Sequence, residues 1–184
     1  MSKRVFIAGL LGTVVFIAWG TIVNGLLRFR SNIDMNVVPN ESRVYEILKQ
    51  NITEPGRYTC NPEVIPHEGF PGDEPVFGIL YSGMGHGTAG RLMLVSLVVF
   101  ILTPVIAAWM LSLTSARILS SYPRKVLFFT CIGLLVGLFG NLMGSGIGGY
   151  PLGDALLLVI HDVVLWTLVG LVVAWRLRPE PATP

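Results

Sequence analysis

The sequence predicts an all-α membrane protein, a four-transmembrane-helix bundle with a small α+β extracytoplasmic domain between helices 1 and 2. Three observations predict it. Of 184 residues 52% are hydrophobic and 13% charged, with a mean hydropathy of +0.66, against about 25% charged in an ordinary soluble domain. The apolar residues fall into four blocks, each near or above the roughly 20 residues that cross a bilayer as a helix. Between the first and second blocks, Ser31 to Gly90 holds eight of the eleven acidic residues.

Residues 1–30 make the N-terminal cytoplasmic end and the first span. The run Val5 to Leu27 is interrupted only by Thr13, Thr21 and Asn24. It exceeds the about 7–15 apolar residues of a signal peptide, and Ala18-Trp19-Gly20 is a poor cleavage site, so a retained span is expected. In residues 31–90, Asn40 before Glu41, with Val44, Ile47 and Leu48 at helical spacing, predicts a short capped amphipathic helix to about Gln50. Pro55-Gly56 suits a type II turn with positive φ at the glycine. Arg57 to Cys60 and Val76 to Tyr81 have strand character, separated by a proline- and glycine-rich connection, so a small two-stranded element is expected.

Residues 91–178 carry the remaining spans, at about 91–113, 126–147 and 152–175, and 179–184 is a short cytoplasmic tail. Pro104 near the middle of the second span predicts a kink, because membrane helices tolerate proline where neighbours satisfy the freed carbonyl. With four alternating spans, Lys3, Arg4, Arg117, Arg124, Lys125, Arg176 and Arg178 fall on one side. The positive-inside rule makes that side the cytoplasm, puts both termini inside and turns 31–90 outward, in a cell inner membrane. Arg28, Arg30 and Arg91 are a modest counter-signal.

Ionisable residues inside a span cost about 2.5–3.5 kcal/mol each on insertion scales, which marks them for a function or a specific pairing. Asp154, His161 and Asp162 lie within roughly a 100° arc of the fourth span. They form a candidate polar face with Asn24 and Arg28 of the first span and Asn141 of the third; an Arg28–Asp154 ion pair is one arrangement. Two readings stay open: a proton or ion path, or hydrogen bonds that lock the helices. Gly133, Gly137, Gly140, Gly144 and Gly148 on the third span make small-xxx-small pairs, a helix-packing surface facing either this chain or another subunit.

Gly85 to Gly90 matches the dinucleotide fingerprint in letters, but the following helix is a span and no βαβ unit or acidic partner accompanies it. Its glycines are read as a joint. Cys60, Glu63, His67, Glu68 and His86 are metal-ligating types whose spacing resembles no zinc pattern, so no metal site is assigned to Cys60, His67 or His86. Cys60 and Cys131 cannot meet without moving one across several helical turns. No catalytic set and no cofactor are expected, and the small net charge of +2 without aromatic interleaving excludes nucleic acid as a partner.

The order of Phe16-Ile17-Ala18-Trp19-Gly20, then Asn40-Glu41, Pro55-Gly56-Arg57-Tyr58 and Pro62, then a glycine-rich lead-in to three further spans resembles a family of uncharacterised bacterial four-span inner-membrane proteins. The chain departs from that pattern at Asn24 to Arg30, where the family has an apolar-proline-tryptophan-histidine run. The resemblance implies fold and location and assigns no activity. The expected partners are the lipid bilayer and another membrane or extracytoplasmic protein, with oligomeric state open. The leading expectation is a structural or accessory protein acting through its outer domain. The alternative is a small transporter or proton-coupled carrier using the fourth span, and a weaker third class is a redox or metal enzyme.

Overall fold

The computed structural model describes residues 1–61, 74–145 and 149–177. The chain is mostly helical, and four helices are long and apolar enough to cross a membrane: Lys3–Leu26, Met93–Ser112, Tyr122–Leu142 and Leu152–Arg176. The first is α1 (Lys3–Trp19) continued by a π-helical segment, Gly20–Leu26. A short α2 (Phe29–Asp34) and α3 (Glu41–Asn51) follow, then β1 (Gly56–Cys60) and β2 (Phe77–Tyr81). The second long helix is α4 (His86–Ser112); after α5 (Ala116–Leu119) come α6 (Tyr122–Gly137), continued as a π segment over Leu138–Leu142, and α7 (Leu152–Arg176).

Local chemistry explains several boundaries. Ser2 caps α1 by accepting from the Val5 amide at 3.4 Å. A proline in the first turn of α6 forfeits no helical bond, since those amides have no partner inside the helix. Asp154 in the first turn and Arg176 in the last complement the dipole of α7. At Pro104 the helix α4 runs on without interruption. Proline withdraws the donor that Phe100 would have used, and beside it the Thr13 hydroxyl of α1 is shared between the carbonyls of Gly9 and Ile101, each at 3.3 Å.

The long helices pack in the order α4–α1–α7–α6, and α4 meets α6 only marginally. α7 is the central member: 44% of its apolar window is buried, against 28% for each of the others. The dry core lies toward the termini, where Val5, Ala8, Ala108, Leu111, Phe129, Trp166, Val169 and Val173 cluster. Toward the 31–90 segment the arrangement opens, and Met93, Leu94, Val95, Val98 and Val99 of α4 are exposed. That surface is compatible with lipid contact.

Close helix approach is carried by specific glycines. A Cβ on Gly133 would lie 2.8 Å from Trp166 Cβ and 2.9 Å from the Val163 Cα, and one on Gly137 3.0 Å from Val159 Cα, so both face α7 of the same chain. Gly170 of α7 reciprocates against Phe129. Gly140 has nothing within 4 Å, Gly144 meets only its own local carbonyls, and Gly148 lies outside the described residues. The intimate part of the expected glycine surface is therefore its first two positions.

The loop segment contains the expected helix and an antiparallel β1–β2 pair, Gly56 opposite Tyr81 and Cys60 opposite Phe77. Two local expectations fail there. Asn40 does not cap α3 with its side chain; its backbone is left-handed at φ 57° and ψ 42°, a conformation asparagine tolerates. Gly56 is not at positive φ and is the first residue of β1, so the type II turn is absent. Among the described residues the positive-φ glycine is Gly83, at φ +69°, packed so closely on Pro55 that a Cβ would approach its Cγ to 2.5 Å. The glycine-rich stretch is a joint only up to Gly85, because α4 begins at His86 and takes in Gly87 and Gly90.

Candidate functional site

A chain of side-chain hydrogen bonds links three of the four long helices. Trp19 at the end of α1 donates its indole N–H to Nε2 of His161 on α7, at 2.6 Å. His161 Nδ1 lies 3.1 Å from Asp162 Oδ1, and Asn141 in the π segment after α6 donates to Asp162 Oδ2 at 2.8 Å. The polarity follows from the first bond. An indole N–H can only donate, so His161 Nε2 carries a lone pair, the ring is neutral, and the proton on Nδ1 points at the carboxylate.

The setting is enclosed. The side chain of His161 is 4% exposed and that of Asp162 15%. Phe29 of α2 stacks on the imidazole at 5.2 Å with 7° between planes, and Trp19 tilts over it at 5.3 Å. Both π segments flank the cluster: one begins directly after Trp19 and the other contains Asn141. A π turn widens the helix and rotates the residues that follow it, and such insertions recur at functional sites. The Asn24 Oδ1 in the first π segment is buried with no hydrogen-bond partner among the described residues.

The short helix α2 lies over this cluster and is tied down at its far end. Asp34 pairs with Arg30 at 3.5 Å and accepts from the Tyr150 phenol, which precedes α7. That hydrogen bond, then burial and the Asp34 charge, raise the Tyr150 pKa above its usual 10, with Arg30 pulling the other way. A raised phenol keeps its proton longer in the folded state, so the tie is fully present below about pH 10 and is lost as pH climbs through the raised value. Tyr150→Phe should increase amide exchange across α2 at neutral pH. The wild type should reach the same exchange only above about pH 10, after correction for intrinsic rates.

Of the six residues expected on one polar face, His161, Asp162 and Asn141 come together. Asp154 stands about two turns away, about 10 Å along the axis from His161, in the first turn of α7. Arg28 adopts a left-handed backbone at φ 54° where the first π segment hands over to α2, and it makes no ion pair with Asp154. Trp19 and Phe29 were absent from the expected face. An indole within a long apolar helix needs a partner for its N–H, and that requirement is the sequence signal that could have paired Trp19 with a histidine. Phe29 carries no comparable signal.

Chemically the cluster is closed to nucleophile activation, since the imidazole nitrogen that would act as base is occupied by Trp19. Among the described residues no group of three His, Cys, Asp or Glu side chains gathers to hold a metal. Cys60 and Cys131 are free and exposed, His67 lies outside the described residues, and His86 is the first residue of α4. A groove of about 380 Å³ opens in the loop segment, lined by Tyr45, Leu48, Lys49, Ile52, Ile79 and Leu80 among others. No protein-family model, curated protein or solved structure matches the chain. The resemblance carried by Phe16 to Gly20 and Pro55 to Tyr58 gains no support from these comparisons.

Proposed function

We propose that this is a structural or accessory membrane protein of the bacterial inner membrane, with both termini cytoplasmic, whose 31–90 segment contacts a protein partner on the outer side. The observation that carries the reading is the contrast between the two polar regions. Inside the bundle, His161, Asp162 and Asn141 spend their hydrogen bonds on one another and on Trp19, as residues that lock helices do. In the loop segment, apolar side chains are left uncovered around the groove, with Leu80 81% exposed and Tyr45 61%; single exposed hydrophobics are ordinary, but a cluster lining a groove fits a contact surface.

The test is co-purification of the full-length chain in mild detergent. Leu80→Lys and Tyr45→Ala should remove a partner that the wild type and an Asp162→Leu variant both retain; retention by the two loop variants sinks the reading. A reporter fused at Arg124 that reports outward overturns the orientation.

A second reading, a proton-coupled carrier, is favoured by two details: the Asn24 Oδ1, without a partner among the described residues, and the residual exposure of the Asp162 side chain. It requires that reconstituted vesicles lose solute or proton flux when His161 and Asp162 are both replaced by leucine. Flux unchanged in that variant removes it.

A further inference from the structure

We propose that His161 is a proton-operated latch between α1 and α7: binding one proton at Nε2 breaks the Trp19 bond and transfers the new N–H to Asn24. Neutral His161 accepts from Trp19 at 2.6 Å and donates to Asp162 at 3.1 Å. An imidazolium donates from both nitrogens and accepts from neither, and an indole has no acceptor to offer. Two N–H groups cannot remain at that separation. The bond to Asp162, by contrast, becomes charge-assisted and strengthens. Protonation therefore frees α1 while holding the imidazole against α7 and, through Asp162 and Asn141, against the end of α6.

The released groups have somewhere to go. Asn24 lies five residues after Trp19 within the π segment, and five residues is the hydrogen-bonding interval of a π turn, so the two share a face. Its Oδ1 is buried and takes no hydrogen bond from the described residues. A buried acceptor left empty is unfavourable, and a second state that fills it accounts for its presence. Phe29, stacked on the ring, connects the latch to α2 and so to the start of the 31–90 segment.

The charged and titratable groups around the imidazole are few. On α7 there is Asp162, in direct contact. On α2 and its cap there are Arg28, Arg30 and Asp34, of which the last two pair with each other. The π segments Gly20–Leu26 and Leu138–Leu142 contain none, and Arg124 and Lys125 lie at the opposite end of α6. Asp162 is thus the one carboxylate in direct contact with the ring among the described residues, and its side chain keeps limited exposure.

The experiment follows the Trp19 indole N–H and the histidine ring nitrogens by NMR, in the full-length chain in lipid nanodiscs, from about pH 8 to about pH 5, where histidines change charge. Trp19→Phe assigns the indole signal. The wild type should lose the downfield, hydrogen-bonded position of that signal as one ring nitrogen of His161 gains a proton, with one common midpoint. Asn24→Leu should move the midpoint to lower pH. In His161→Gln, which retains an acceptor but does not titrate, the indole signal should not change with pH. An indole signal that stays put while His161 protonates, or an unprotonated His161 Nε2 at about pH 5 in the wild type, overturns the latch; the wild-type measurement decides even if a variant fails to fold.

Discussion

Gly133→Val destabilises the fold by an amount at the upper end of the about 1–3 kcal/mol typical of overpacking, whereas Gly140→Ala leaves it unchanged or slightly stabilised. The difference is geometric. At Gly133 even a methyl group would stand 2.9 Å from the Val163 Cα and the Asp162 carbonyl oxygen and 2.8 Å from Trp166 Cβ. Two of those three are main-chain atoms of α7, which cannot rotate out of the way as a side-chain tip can, so the whole helix must move. Because α7 also carries His161 and Asp162, the same shift stretches the bond to Asn141. Gly140, seven residues on, has open space. Unfolding of the purified protein in a denaturing-detergent titration reads both variants. Equal effects at the two positions would mean that α6 does not pack on α7 in this register.

Asp162→Leu is expected to cost about 2 kcal/mol, because it strands two donors at once, the His161 Nδ1–H and the Asn141 amide, and each buried orphan costs about 1–3 kcal/mol. An average interhelical hydrogen bond in a membrane contributes only about 0.6 kcal/mol, so orphaning dominates over the lost attraction. Adding Asn141→Leu removes one of the orphans. The double variant should therefore be less destabilised than the sum of the two singles, with a coupling of about 0.5 kcal/mol or more. Strict additivity would show that the two side chains do not share a network. Asp162→Asn, which keeps an acceptor for His161, should fall between wild type and Asp162→Leu.

Much of the architecture was legible because hydropathy is a local property. Four blocks of apolar residues become four long helices wherever backbone polar groups must be satisfied internally, and the boundaries agree to within a few residues except at the third, which extends to Leu142 where 147 was expected. The two strands were legible from their flanking Pro55-Gly56 and their β-branched and aromatic residues. What failed was finer and depended on backbone torsion: whether Asn40 caps with its side chain, whether Gly56 or Gly83 takes the positive φ, and where α4 starts. Those choices differ by about 1 kcal/mol or less per residue, and neighbouring contacts such as Gly83 on Pro55 settle them.

The polar cluster among the long helices shows the same division. Sequence alone marked His161, Asp162 and Asn141, because polar groups in an apolar run are costly wherever the chain folds. It also grouped them with Asp154 and Arg28, since a shared face is defined by angle around the axis and leaves out the rise along it, and spacing in one helix says nothing of the next. Only the tertiary structure selected Trp19 as the partner of His161. That selection required α1 to lie between α4 and α7, required α1 to end its regular turns at Trp19 so that the π segment begins there, and required glycines on α6 to admit α7 closely enough for Asn141 to reach Asp162. Composition determines that a chain like this has four apolar helices and a polar loop segment. Which of their polar atoms meet is decided by helix order and close packing, because hydrogen bonds act over about 3 Å and no spacing within one helix specifies a contact between two.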